Sequence, residues 1–307
     1  MKLLLSKPRG FCAGVVRAIN TVERALELWG APIYVKHEIV HNKHVVKKLH
    51  DKGAVFIEDL DDVPEGARLI YSAHGVPPSV REKTKERGLI EIDATCVLVT
   101  RIHQAVKQYA KKGYNIIIVG HKNHVEIVGT AGEAPQKTTI VESVADVEIL
   151  PFAADDKLFF ISQTTLSLYD IEEITAALRK RYPQIETLPQ SSICYATTNR
   201  QTALKEITDE TDVIFVVGDP SSSNSNRLRE IAAKNNVAAY LINDEGEIEE
   251  SWLDNVKTIG LTAGASTPED VVQKVIQRLM ALGVTDVEDV VYTTEDVVFR
   301  LPREVDR

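Results

Sequence analysis

The sequence is short of cysteine, of basic charge and of long apolar runs, and each shortage removes a class of protein. Only three cysteines occur in 307 residues, 84 and 98 positions apart. That odd number and wide spacing fit neither a secreted disulfide framework nor a paired-thiol zinc site. Acidic residues outnumber basic ones, 45 to 36, for a net charge of −9. An acidic chain without a basic block argues against nucleic acid as a main partner. The longest apolar runs, such as Ile116-Ile117-Ile118-Val119, are too short to span a bilayer. The opening MKLLLSKPRG has too brief an apolar stretch for a signal peptide and reads as a first β-strand, so a cytoplasmic location is expected. Neither a Walker-type loop nor GxGxxG is present, so no nucleotide site is implied.

What is present is an ordinary soluble composition, 44% hydrophobic and 26% charged, at a length that suits two or three domains. The pattern repeats three times. A helical stretch follows each cysteine: VVRAINTVERALELWG after Cys12, VLVTRIHQAVKQYAKKG after Cys96, YATTNRQTALKEITDET after Cys194. Short apolar strands come next (PIYV, NIIIVG, VIFVVG), then AVFIE, TTIVE and AAYLI, then LIYSAHG, LFFISQTT and TIGLTAGAS. Each unit ends in a further helix near PPSVREK, LYDIEEI or TPEDVVQ, the last predicted to be capped by Thr267 with Pro268 in its first turn. Strands alternating with helices predict an α/β protein with mainly parallel sheets. The expected domains are 1–95, 96–193 and 194–307, the last with a tail, DVVYTTEDVVFRLPR, that reads as extra strand.

Ligands of α/β sheets bind beyond the carboxyl ends of the strands, and the unusual residues fall there. The cysteines form one set. A second is His41, His124 and the Ser222-Ser223-Asn224 group, 29, 28 and 28 residues after their cysteines. A third is His74, Thr164 and Ser266, at offsets of 62, 68 and 72. Three similar units about a pseudo-threefold axis would aim all nine positions at one centre.

Three convergent thiolates suit an iron–sulfur cluster better than zinc, which usually closes with a fourth ligand. A 4Fe–4S cluster on three cysteines leaves one iron open to act as a Lewis acid on a substrate oxygen. The run SSSNSNR opens a helix, whose N-terminus favours phosphate. Glu126, two residues after His124, reads equally as a proton donor in an enclosed cleft or as an exposed loop carboxylate. Thr164 is placed to relay or position that proton. His37, His44, His50, His103 and His121 read as surface or core residues. A three-unit protein holding zinc or no metal, and a sugar-phosphate enzyme without a cluster, are the competing readings.

The motifs PRGFCAGV, HEIVHN, SAHGVP, DATC, GHKNHVE, SQTTLS, ICYATTNRQ, SSNSNRL and TAGAS, in this order, resemble the 4-hydroxy-3-methylbut-2-enyl diphosphate reductase family from residue 1 to the mid-280s. The resemblance implies an iron–sulfur oxidoreductase with a trefoil of three α/β domains around one 4Fe–4S cluster held by Cys12, Cys96 and Cys194. It implies that His41, His74, His124, Ser222, Ser223, Asn224 and Ser266 bind the substrate diphosphate, that Glu126 supplies the proton with His124 beside it, and that Thr164 orients the hydroxyl. The implied reaction, in the methylerythritol phosphate route of isoprene biosynthesis, removes a hydroxyl as water with two electrons and two protons, giving isopentenyl and dimethylallyl diphosphates. Electrons would come from ferredoxin or flavodoxin, to a monomer or weak dimer. The alternative is a homologue that keeps cluster and diphosphate binding as a sensor with reduced or lost turnover. Four positions depart from the family pattern: Val16 replaces an acid, Val97 and Val125 replace prolines, and Val128 stands where Glu is common. Losing proline frees φ and restores an N–H, giving the His124–Glu126 loop room to relax.

Overall fold

The apolar runs of the repeat all become strands, and the cysteine-led stretches all become helices. The computed structural model describes residues 1–306. The chain starts with β1 (Lys2–Lys7), α1 (Ala13–Trp29), β2 (Ile33–Lys36), α2 (Lys43–Asp51), β3 (Ala54–Ile57), β4 (Arg68–Tyr71), α3 (Pro78–Glu86) and β5 (Ile90–Asp93). It continues with α4 (Val97–Lys111), β6 (Asn115–Val119), α5 (Val125–Ala131), β7 (Thr138–Val141), α6 (Val144–Glu148), β8 (Leu158–Ser162), α7 (Leu168–Arg181) and β9 (Glu186–Thr187). The last part holds α8 (Tyr195–Thr208), β10 (Val213–Val217), α9 (Ser223–Lys234), β11 (Ala238–Ile242), β12 (Thr258–Ala263), α10 (Glu269–Ala281) and β13 (Asp286–Val291). These form three parallel sheets within two units. The first unit comprises Met1–Val16, His41–Lys47 and Tyr195–Val298; the second comprises Arg17–Val40, Lys48–Cys194 and the residues from Phe299 onward.

The first unit carries the five-stranded sheet β11-β10-β12-β1-β13, parallel throughout. Its central strand β10 is apolar on both faces because helices cover both. Val213, Phe215 and Val217 face α10 through Val271, Val275 and Leu279. Ile214 and Val216 point the other way, onto Leu204 and Ile207 of α8 and Leu228 and Ile231 of α9, as the two-residue period of a strand requires. Gly260 lets α8 approach: a Cβ there would lie 2.9 Å from Ile214 and 3.1 Å from Ile207.

The second unit carries two four-stranded parallel sheets, β3-β2-β4-β5 and β7-β6-β8-β9. In the latter, Ile117, Val119 and Phe160 meet Ile174 and Leu178 of α7. Ile116, Ile118 and Phe159 meet Ile102 and Val106 of α4 and Ile127 of α5. That second contact brings α5, and with it Glu126, onto the back of the helix that Cys96 begins.

All three sheets share one order: second, first, third, then the strand that runs into a cysteine. This corrects one expectation. Dividing the chain at residues 95 and 193 puts β1 in the first repeat, but β1 pairs with β12 and β13 of the third, Leu4 beside Gly260 and Glu288. An apolar LLL strand fits any parallel sheet, so the sequence repeat does not reveal which one takes it. Strand structure in the tail stops at Val291; the described residues 292–306 continue without strand. Thr267 does not cap α10. Its hydroxyl donates to the Val217 carbonyl at 2.8 Å, and Pro268 occupies the cap position. Pro77 and Pro78 do open α3.

Candidate active site

Each cysteine is built the same way. Helices α1, α4 and α8 begin one residue after Cys12, Cys96 and Cys194. The cysteine N–H donates to the carbonyl two residues beyond the third strand of its sheet: Cys12 to Ala265 (3.2 Å), Cys96 to Ala73 (3.0 Å), Cys194 to Thr164 (3.1 Å). All three are half-buried, and none is in a disulfide. Thiolate sulfur is the form in which cysteine binds soft metals.

In the first unit one set of bonds ties the expected ligands together. Ala265 accepts from the Cys12 N–H and gives its own N–H to Asn224 Oδ1 at 2.9 Å. Ser266 Oγ donates to the His41 carbonyl at 2.9 Å. Ser222 caps α9, its Oγ accepting from the Ser225 N–H; Ser223 is the first residue of that helix. Asn224 is only 4% exposed, and its Nδ2 has no partner among the described residues. A buried amide donor left unmade is costly, and at a helix N-terminus it suits an anionic oxygen. We expect Asn224→Ala to raise KM for a diphosphate substrate about tenfold, the scale of one such hydrogen bond, with little change in iron content; steady-state kinetics and iron assay check this.

In the second unit a continuous chain runs from one cysteine to another. Cys194 donates to the Thr164 carbonyl. The Thr164 N–H and Oγ1 each donate to a Glu126 carboxylate oxygen at 2.7 Å. The Glu126 N–H donates to His124 Nδ1 at 3.2 Å, which fixes the proton of the neutral ring on Nε2. The His124 ring meets His74 edge-on at 6.0 Å. His74 follows Ala73, the acceptor of the Cys96 N–H. Glu126 is 4% exposed, so the exposed-loop reading of it is excluded. Burial pushes its carboxyl above the ordinary value, against the Thr164 bonds and the charge of His103.

The repeat positions are sharper than residue counting suggests. His41, His124 and Ser222 each lie five residues beyond the end of β2, β6 and β10. In the third set Thr164 matches Ala73 and Ala265, which accept from cysteine, so the equivalent of His74 and Ser266 is Thr165. Two histidines read as bystanders lie close to this chain. His37 meets His74 edge-on at 6.1 Å. His103 is buried, bonds Glu133 at 3.0 Å, and packs under Gly75, where a Cβ would come within 3.1 Å of its ring. The glycine after His74, at φ +78°, was the available signal. His44 and His50 take no part in these bonds; the His121 carbonyl accepts from the His124 N–H at 2.9 Å.

The four valines remove no polar group from these bonds. Val16, Val97 and Val128 are 40%, 44% and 50% exposed. Val97 and Val125 take the first helical positions after Cys96 and His124, where proline is well suited. The His124 cap is nonetheless intact, so the loop has not relaxed.

The family model for the LytB protein matches residues 3–280. The chain belongs to the LytB family. Among curated LytB relatives, 4-hydroxy-3-methylbut-2-enyl diphosphate reductase of Protochlamydia amoebophila is 70% identical over 99% of this chain and 97% of its own length. The enzyme of that name from Chlamydia trachomatis serovar D is 60% identical over 99% of both. The solved structure of E-1-hydroxy-2-methyl-but-2-enyl-4-diphosphate reductase from Plasmodium falciparum matches with a TM-score of 0.97 at 49% identity, over 99% of this chain and 96% of that one. A second structure, (E)-4-hydroxy-3-methyl-but-2-enyl diphosphate reductase, matches with a TM-score of 0.66 at 31% identity, over 91% and 99%. No described helix of this LytB chain is long and apolar enough to cross a membrane.

Proposed function

We propose that this LytB-family chain is a 4-hydroxy-3-methylbut-2-enyl diphosphate reductase, an oxidoreductase of isoprenoid synthesis by the methylerythritol phosphate route. It converts the allylic alcohol diphosphate, two electrons and two protons into isopentenyl or dimethylallyl diphosphate and water. The observation that carries the reading is the buried Thr164–Glu126–His124 chain, a carboxyl held easier to protonate beside a hydroxyl that orients it. The sensor alternative finds no support, because the named relatives are reductases.

The donor set fits a cluster: three half-buried cysteines outside any disulfide, each at a helix N-terminus. Cys12, Cys96 and Cys194 would hold one 4Fe–4S cluster per chain, which when bound supplies electrons singly and an open iron for the substrate hydroxyl. The chain's own residues do the rest. His41, His74, His124, Ser222, Ser223, Asn224 and Ser266 bind the diphosphate, and the Asn224 amide gains the acceptor it lacks. Thr164 Oγ1 orients the hydroxyl of the substrate. Glu126 gives its proton to that hydroxyl as it leaves, and general acid catalysis of this kind contributes about 10²–10⁴-fold. The diphosphate brings negative charge toward Glu126 and so favours its protonated form. The working setting is cytoplasmic, with a ferredoxin or flavodoxin as donor and the chain a monomer or weak dimer. Iron and sulfide assay of anaerobically purified protein, followed by turnover with dithionite and a viologen, tests the reading. About four irons per chain with turnover is expected; no iron after reconstitution refutes it.

A further inference from the structure

Each cysteine-led helix also carries an arginine in its second turn. Arg17 lies five residues after Cys12, Arg101 five after Cys96, and Arg200 six after Cys194. Each guanidinium reaches the segment that leads into another cysteine. Arg17 Nη1 donates to the Thr95 carbonyl at 2.9 Å and Nη2 to the Asp93 carbonyl at 3.2 Å, just before Cys96. Arg101 Nη1 donates to Gln190 Oε1 at 2.8 Å, four residues before Cys194. Arg200 donates to the Gly10 carbonyl at 2.7 and 3.1 Å and to Phe11 at 3.4 Å, just before Cys12. The residues following β13 brace two of the three. Arg17 Nε donates to the Arg300 carbonyl at 2.8 Å, and Arg200 pairs with the Glu295 carboxylate at 3.1 Å. Arg200 is 1% exposed, an expensive place for a charge unless its partners repay the desolvation.

A merely structural account leaves this recurrence unexplained. Three arginines, five or six residues after their cysteines, each bond the segment before another cysteine, although the partner atoms differ every time. Gly10 is buried with φ +67°, and the Arg200 guanidinium holds its carbonyl. We propose that Arg17, Arg101 and Arg200 are positioning residues for the metal centre, Arg17 and Arg200 each fixing a cysteine-bearing turn with a rigid fork and Arg101 with a single bond, and each setting a permanent positive charge behind its turn. This rests on the cluster reading above. Groups that orient metal ligands typically govern affinity by 10–100-fold, and the planar guanidinium fork cannot be reproduced by lysine.

The test uses full-length protein purified anaerobically, with Gln and Lys at each position. Iron release to a ferrous chelator, the reduction potential of the cluster, and the thermal midpoint of the metal-free protein are measured. The Gln variants should release iron about 10- to 100-fold faster than the unsubstituted chain, most in Arg200→Gln and least in Arg101→Gln. Their potentials should shift negative, because a positive charge has gone. The Lys variants should keep the potential yet release iron faster, since charge is retained and the fork is lost. Potentials and release rates unchanged in Arg17→Gln and Arg101→Gln, whose guanidinium bonds are partly solvated and least essential to folding, would overturn the inference. A change in the thermal midpoint alone would do the same. If the unsubstituted protein itself takes up no iron, the cluster reading has failed, a result distinct from either of these.

Discussion

Glu126→Gln should lower kcat by about 10²–10⁴-fold while leaving iron and sulfide content unchanged. The amide keeps the shape. Its oxygen still accepts from the Thr164 N–H, and its NH₂ can donate to Thr164 Oγ1, a hydroxyl free to reverse its role. What is lost is the transferable proton. The pH profile gives a second reading of the same change. Burial holds the Glu126 carboxyl above its ordinary value of 4.5, so wild-type activity should fall as pH rises through that raised value, and the variant should lack this limb. Stability follows the same sign. The folded chain binds this proton more tightly than the unfolded one, so the associated stability is complete below the ordinary value and is lost as pH rises through the raised one. Glu126→Gln should therefore lose less stability than wild type as pH rises from the ordinary carboxylate value through the raised one, as thermal midpoints will show. Wild-type kcat in the variant would remove Glu126 from the reaction.

Much of this site was legible because the repeat places chemistry at the same point three times. Continuous apolar runs such as IIIV and VIFVV marked strands buried on both faces, and the cysteines marked where helices start. The remainder depended on contacts that sequence order hides. Nothing in LLL says that β1 joins the sheet of β12 rather than that of β2. Counting through loops of unequal length put Thr164 one residue off its true equivalence with Ala73 and Ala265. His103 lies in α4 among Gln104 and Lys107, and there looks like part of a solvated helix face, although it is buried against Gly75. Arg17, Arg101 and Arg200 give as little sign of their role in the sequence. An arginine on an amphipathic helix ordinarily faces water, and its partners here are mostly backbone carbonyls, which carry no sequence signal.

Cys194→Ser is expected to give a folded protein that holds no intact cluster and has no turnover. The bond that seats this residue is made by its backbone, N–H to the Thr164 carbonyl at 3.1 Å, so serine can make it equally well. Helix α8, the Thr164–Glu126 pair and the fork of Arg200 should all persist, and the metal-free variant should melt close to the metal-free parent. Only the side-chain atom differs, and it differs in the property that matters. A thiolate is a soft, polarisable ligand, whereas a serine hydroxyl stays protonated near neutral pH and is hard. Two remaining thiolates cannot close three corners of a cubane. Iron and sulfide assay with the visible spectrum, alongside thermal unfolding, separates loss of metal from loss of fold. Four irons with turnover in Cys194→Ser would mean that this cysteine is not a ligand and that its place in the repeat is structural. Loss of metal with an unchanged fold would assign the effect to sulfur alone, because every other bond of the site would still be made.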